Sequence, residues 1–115
     1  MKLITQEIQN QLLENGKAQR ESGEELDHFP VVKFFTPDGA ATWLITEASP
    51  DQPDILFGLC DLGMGFPELG SVSLGELQSV RGKLGLPIER DRFFSPDKTL
   101  SGYFKEALKE QRIIA

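Results

Sequence analysis

The sequence predicts an α+β fold: an antiparallel sheet of about four to five strands with an N-terminal helix, one short inserted helix and a C-terminal helix. Three observations predict it. Apolar residues recur at helical spacing near both ends of the chain. Three runs rich in β-branched and aromatic residues fill the middle, separated by short proline- and glycine-containing turns. A serine and a glutamate three residues apart mark one further helix start. Strands first, with helices at the ends and one late insertion, favour α+β over a doubly wound sheet. The short connections between strands call for antiparallel pairing. At 115 residues the chain fits a single domain, 1–115, and such a chain buries roughly two-thirds of its unfolded surface without a staple.

Each element has its own signal. Ile4, Ile8 and Leu12 repeat every four residues and Leu13 widens their stripe; Thr5 stands where an N-cap belongs and Glu7 follows in the first turn. Asn15-Gly16 offers a left-handed helix end, after which Lys17 to Asp27 either extends the helix or forms a polar loop. Val31 to Phe35 and Thr42 to Thr46 read as strands joined by Pro37-Asp38-Gly39, a turn in which proline presets φ and glycine accepts positive φ. Pro50 and Pro53 bar a central strand between Ser49 and Asp54. Ile55 to Cys60 is apolar without alternation, as in a strand covered on both faces. A short strand, Ser71 to Ser73, leads into a helix from Leu74 to about Val80, capped by Ser73 and Glu76. Leu86 to Phe93, with alternating charges, suits an exposed edge strand or an extended arm. The last helix starts at Ser95-Pro96 or Thr99 and presents Leu100, Tyr103, Phe104, Ala107 and Leu108 on one face.

Bulk properties narrow the function classes. One cysteine, Cys60, rules out an internal disulfide and a cysteine zinc site. The first thirteen residues lack the apolar core of a secretory signal and no run approaches membrane-spanning length, so a cytoplasmic location without membrane attachment is expected. Net charge is −6, unevenly spread: residues 1–80 carry 13 acidic and 4 basic side chains, and residues 81–115 carry 5 acidic and 8 basic. A balance of −9 over residues 1–80 disfavours duplex DNA as a partner there, because phosphate binding relies on cationic side chains.

The most unusual stretch is Asp61 to Gly70, with three glycines and two carboxylates in ten residues. It fails as a dinucleotide fingerprint, since Glu68 occupies the third glycine position, and it lacks the Gly-Lys-Ser/Thr of a phosphate loop. Two readings remain: a tight connection whose Phe66 and Leu69 plug the core, or a loop that presents Met64 and Phe66, flanked by Asp61 and Glu68, to a partner. His28, the only histidine, has no nucleophile elbow to serve and reads as a surface or strand-start residue. Cys60, at the end of an apolar run, reads as an inert thiol. The carboxylate pairs Asp51 and Asp54, Asp61 and Glu68, and Glu24 and Glu25 read as solvated acids, with a carboxylate-dependent enzyme at Asp61 and Glu68 as the alternative. Arg81, Lys83, Arg90 and Arg92 beside Phe93-Phe94 form a basic stretch of the kind that binds single-stranded nucleic acid, although Glu89 and Asp91 weaken its field. No cofactor or metal motif is present.

Several segments together resemble a known family. They are Leu3-Ile4-Thr5 with Leu12-Leu13 and Asn15-Gly16; Pro30 to Lys33 with Phe35-Thr36-Pro37; Ala41 to Leu44; Asp61-Leu62-Gly63 with Gly65 to Gly70; Val72-Ser73-Leu74 with Glu76-Leu77; and Leu86 to Asp91. The chain resembles a bacterial domain-of-unknown-function family of small proteins often encoded on plasmids and integrative conjugative elements. The resemblance implies a bacterial cytoplasm and an accessory role on mobile DNA, and brings no catalytic residues. The expectation is a non-enzymatic module that engages a protein partner, in its sharper form an acidic inhibitor of a host nucleic-acid-binding or defence protein.

Overall fold

A computed structural model describes residues 2–115; Met1, the first residue of the segment read for a signal, lies outside them. Strands β1 (Val32–Phe35), β2 (Thr42–Ala48), β3 (Ile55–Asp61) and β4 (Glu68–Ser73) follow one another through short turns, each antiparallel to the one before. A two-residue strand, β5 (Glu89–Arg90), pairs with the free edge of β1 and completes the order β4-β3-β2-β1-β5. The expected antiparallel sheet of four to five strands is therefore present with five. Of the expected edge segment Leu86 to Phe93, only these two residues form a strand. Pro87 has no amide to donate, and the Asp91 carboxylate bonds the Phe93 amide at 2.9 Å, turning the chain off the sheet.

Helix α1 (Gln6–Ser22) starts where its sequence says, with the Thr5 hydroxyl accepting the Ile8 amide at 3.2 Å. It does not stop at Asn15-Gly16. Gly16 is buried mid-helix, and a Cβ there would overlap the Ala48 carbonyl oxygen, so this glycine lets the helix approach β2. Asn15 Nδ2 donates to the Thr46 carbonyl at 2.8 Å and fixes the same contact. The left-handed end is Gly23, at φ 69°.

The alternation of β3 explains its unbroken apolar run. Leu56 and Cys60 face α1 and join Leu12, Val32, Phe34, Trp43 and Ile45. Phe57 and Leu59 face the other side, where α3 (Leu100–Glu110) lays down Leu100, Tyr103 and Ala107. The sheet is thus covered by a helix on each face, as a two-sided apolar strand requires. The inserted helix α2 (Leu74–Ser79) lies on the α1 side, buries Leu77 in that core and is capped by Ser73, whose hydroxyl accepts the Glu76 amide at 3.3 Å. Thr99 precedes α3, but its side chain makes no cap bond. The cap comes from a distant residue: the Asp27 carboxylate accepts the Ser101 amide at 3.0 Å and the Ser101 hydroxyl at 2.5 Å. No helix among the described residues is long and apolar enough to cross a membrane.

Candidate functional site at the hairpin tip

The β3–β4 connection is held at both ends and open in the middle. Asp61, at the end of β3, is only 2% exposed; its carboxylate accepts the Gly63 amide at 2.8 Å and the Ile113 amide at 3.0 Å. Gly63 and Gly65 adopt φ of 81° and 86°, the left-handed region that favours glycine. A Cβ on Gly63 would stand 2.7 Å from that of Ala40, so the loop leans on the β1–β2 turn. Pro67 is buried at the far end. Between these anchors Leu62, Met64 and Phe66 point outward on alternate residues, with Met64 74% and Phe66 78% exposed. The reading in which Phe66 plugs the core does not hold.

A second apolar tip is tied to the same turn. The Asp38 carboxylate accepts the Leu84 amide at 2.7 Å and the Leu86 amide at 3.4 Å, which fixes the turn Gly82–Gly85 against residues 36–41. Leu84 at its apex is 80% exposed. Three connections at one end of the sheet therefore form a braced platform carrying Leu62, Met64, Phe66 and Leu84. Sequence reading missed Leu84; its signal is a leucine set between the turn glycines Gly82 and Gly85.

The structure separates the two carboxylates named with this loop. Glu68 pairs with Cys60 and shares its face of the sheet, whereas Asp61 is the next residue along β3 and faces the other way. Asp61, expected to flank a partner site, is instead the buried clamp of the loop, because the tail residue Ile113 closes over it. Glu68 remains exposed beside the tip. The pair does not share a cleft of the kind carboxylate catalysis requires.

Asp54 accepts the Ser73 hydroxyl and the Gly75 amide, while Asp51 pairs with Arg20 at 2.9 Å. Cys60 is half-buried, and burial together with the neighbouring Glu68 carboxylate pushes its thiol up to about 11, far from a nucleophilic thiolate at neutral pH. Arg81 Nη1 bonds the Gln78 and Val80 carbonyls, and Arg90 Nη1 bonds the Lys2 carbonyl at 2.6 Å. Lys83 and Arg92 are exposed on separate turns. Phe93 is 90% exposed, but Phe94 packs beside Tyr103, with ring centroids 6.4 Å apart. The basic stretch thus spends two of its four cations on backbone carbonyls and offers one free ring. His28 is among the residues lining a groove on the α3 face. Among the described residues, no group of three or more His, Cys, Asp or Glu is arranged to hold a metal ion.

Residues 3–114 match the model of a family described as protein of unknown function, DUF2958. Comparison with curated proteins and with solved structures gives no match.

Proposed function

We propose that the chain, which belongs to the DUF2958 family, is a non-enzymatic interaction module that takes a protein partner on the tip of its β3–β4 hairpin. The observation that carries this reading is the exposure of Met64 and Phe66 on a loop whose ends are clamped by Asp61 and Pro67. Exposed apolar side chains that neighbour one another mark binding surfaces. A loop already fixed by its own bonds loses little freedom when it docks. Glu68 beside the tip and the −9 balance of residues 1–80 favour a partner whose apolar pocket is bordered by cations.

The setting follows from the sequence resemblance: an accessory protein of a plasmid or integrative conjugative element, acting in a bacterial cytoplasm. In its sharper form the module occupies the basic cleft of a host nucleic-acid-binding or defence protein. Retention of bacterial proteins on immobilised wild-type chain, followed by mass spectrometry, tests the reading. Met64→Ala with Phe66→Ala should lose the retained partner while the melting temperature moves by no more than about 2 °C, since exposed positions contribute little to stability. Retention by the double variant would remove the tip as the site. Affinity for the partner should fall as salt rises; salt-independent affinity would remove the electrostatic form of the proposal.

A further inference from the structure

The α3 face of the sheet holds a groove of about 450 Å3 that the hairpin tip does not use. Its apolar side is Phe57, Leu69 and Leu100; its polar side includes Glu47, His28 and Glu25. Glu47 is there because β2 is bulged. The register shifts between Ile45 and Glu47, so Glu47 stands opposite Phe57 on the α3 face, where regular alternation from Ile45 would have sent it to the α1 face. Once there, Glu47 meets the Thr46 hydroxyl at 3.4 Å and no cation within ion-pair range among the described residues. Burial pushes its carboxyl above the ordinary range, against the opposing pull of the His28 charge and the Thr46 hydroxyl.

His28 is equally underused. Its Nε2 is enclosed and has no hydrogen-bond partner among the described residues. Its backbone is held firmly, since the His28 carbonyl accepts the Leu100 amide at 2.9 Å and the preceding Asp27 caps Ser101. The N-terminus of α3, which would attract an anion, is already filled by the Asp27 carboxylate. Glu25, Asp27 and Glu47 against one histidine make the groove a poor place for an anion.

We propose that this groove binds an organic cation, a primary ammonium or guanidinium group carried on an apolar body. The Glu47 carboxylate accepts its N–H hydrogens, and the body covers Phe57, Leu69 and Leu100. The same chemistry is offered by a free amine and by a lysine or arginine side chain of a partner.

Titration of the 15N-labelled full chain, followed by two-dimensional NMR, tests this with phenethylamine, with blocked lysine and arginine amides, and with 2-phenylethanol as the uncharged counterpart. The amine should give saturable shifts clustered at residues 26–28, 46–47, 57, 69 and 100–101, with a Kd on the order of millimolar. The alcohol should bind about tenfold more weakly or not at all, and Glu47→Gln should weaken the amine by about tenfold. Leu69→Trp, at a partly exposed edge position, should fill the groove and abolish binding even if Glu47→Gln fails to fold. Tighter binding of phenethylamine assigns a free amine; tighter binding of a blocked amino acid assigns a partner's side chain. Equal binding of amine and alcohol, shifts centred elsewhere, or unchanged binding by Leu69→Trp would overturn the proposal. The inference is independent of the hairpin tip: Met64→Ala with Phe66→Ala should bind phenethylamine as the wild type does.

Discussion

Replacing Asp61 by alanine should unfold this protein several degrees earlier, although the residue belongs to the loop proposed to bind a partner. Its carboxylate is the acceptor for two amides, the local Gly63 at 2.8 Å and the distant Ile113 at 3.0 Å, and it is almost fully enclosed. Alanine leaves both donors unpaired, at about 1–3 kcal/mol for each buried group. The two sites are part-buried, so the lower half of that range applies and the loss is about 2–4 kcal/mol. For a chain near this length each kcal/mol moves the melting temperature by roughly 4 °C, which gives a fall of about 8–16 °C. Asp61→Asn retains one acceptor oxygen and should lose about half as much. Thermal unfolding followed by circular dichroism reads both variants, with urea titration checking that the slope is unchanged. If Asp61→Ala melts within about 2 °C of the wild type, the clamp is not structural, and Asp61 returns to the surface role its sequence position suggested.

Two further predictions concern the interior. Gly16→Ala gains about 1 kcal/mol of helix propensity but drives a methyl into the Ala48 carbonyl, and overpacking of that kind costs about 1–3 kcal/mol. A net fall in melting temperature is expected, and a rise would show that α1 does not rest on β2 at this point. Cys60, with its thiol raised to about 11, should react with iodoacetamide at pH 8 far more slowly in the native protein than in urea. Similar rates, followed by mass spectrometry, would contradict its burial beside Glu68.

What could be read from the sequence is what local chemistry determines. Thr5 and Ser73 cap helices through their own hydroxyls, and each was legible because donor and acceptor lie three residues apart. Val32 to Phe35 and Thr42 onward paired as their composition indicated. The errors share one cause, a partner far away in the chain. Asn15-Gly16 carried the chemistry of a helix end, yet Gly16 serves a contact with Ala48 that only the folded sheet creates. Asp61 looked like a solvated acid because the residue that covers it, Ile113, is 52 positions on.

The exposed tip was half legible. Glycine density marked the loop, but whether Phe66 turned inward depended on Pro67 and Asp61 anchoring the two ends. The groove on the α3 face was not legible at all. It joins His28, Glu47 and Ser101 across three separated segments, and the bulge that redirects Glu47 leaves no mark in the residues Ile45-Thr46-Glu47 themselves.

The most direct test of the account is amide hydrogen exchange of the chain with and without its captured partner, resolved along the sequence. Slowed exchange centred on residues 62–67 and extending to 82–86 is the predicted result, because those two braced turns carry the exposed apolar side chains. Protection centred on 81–94 without the 62–67 loop, or confined to residues on the α3 face, would contradict the claim that the tip is where this protein meets its partner.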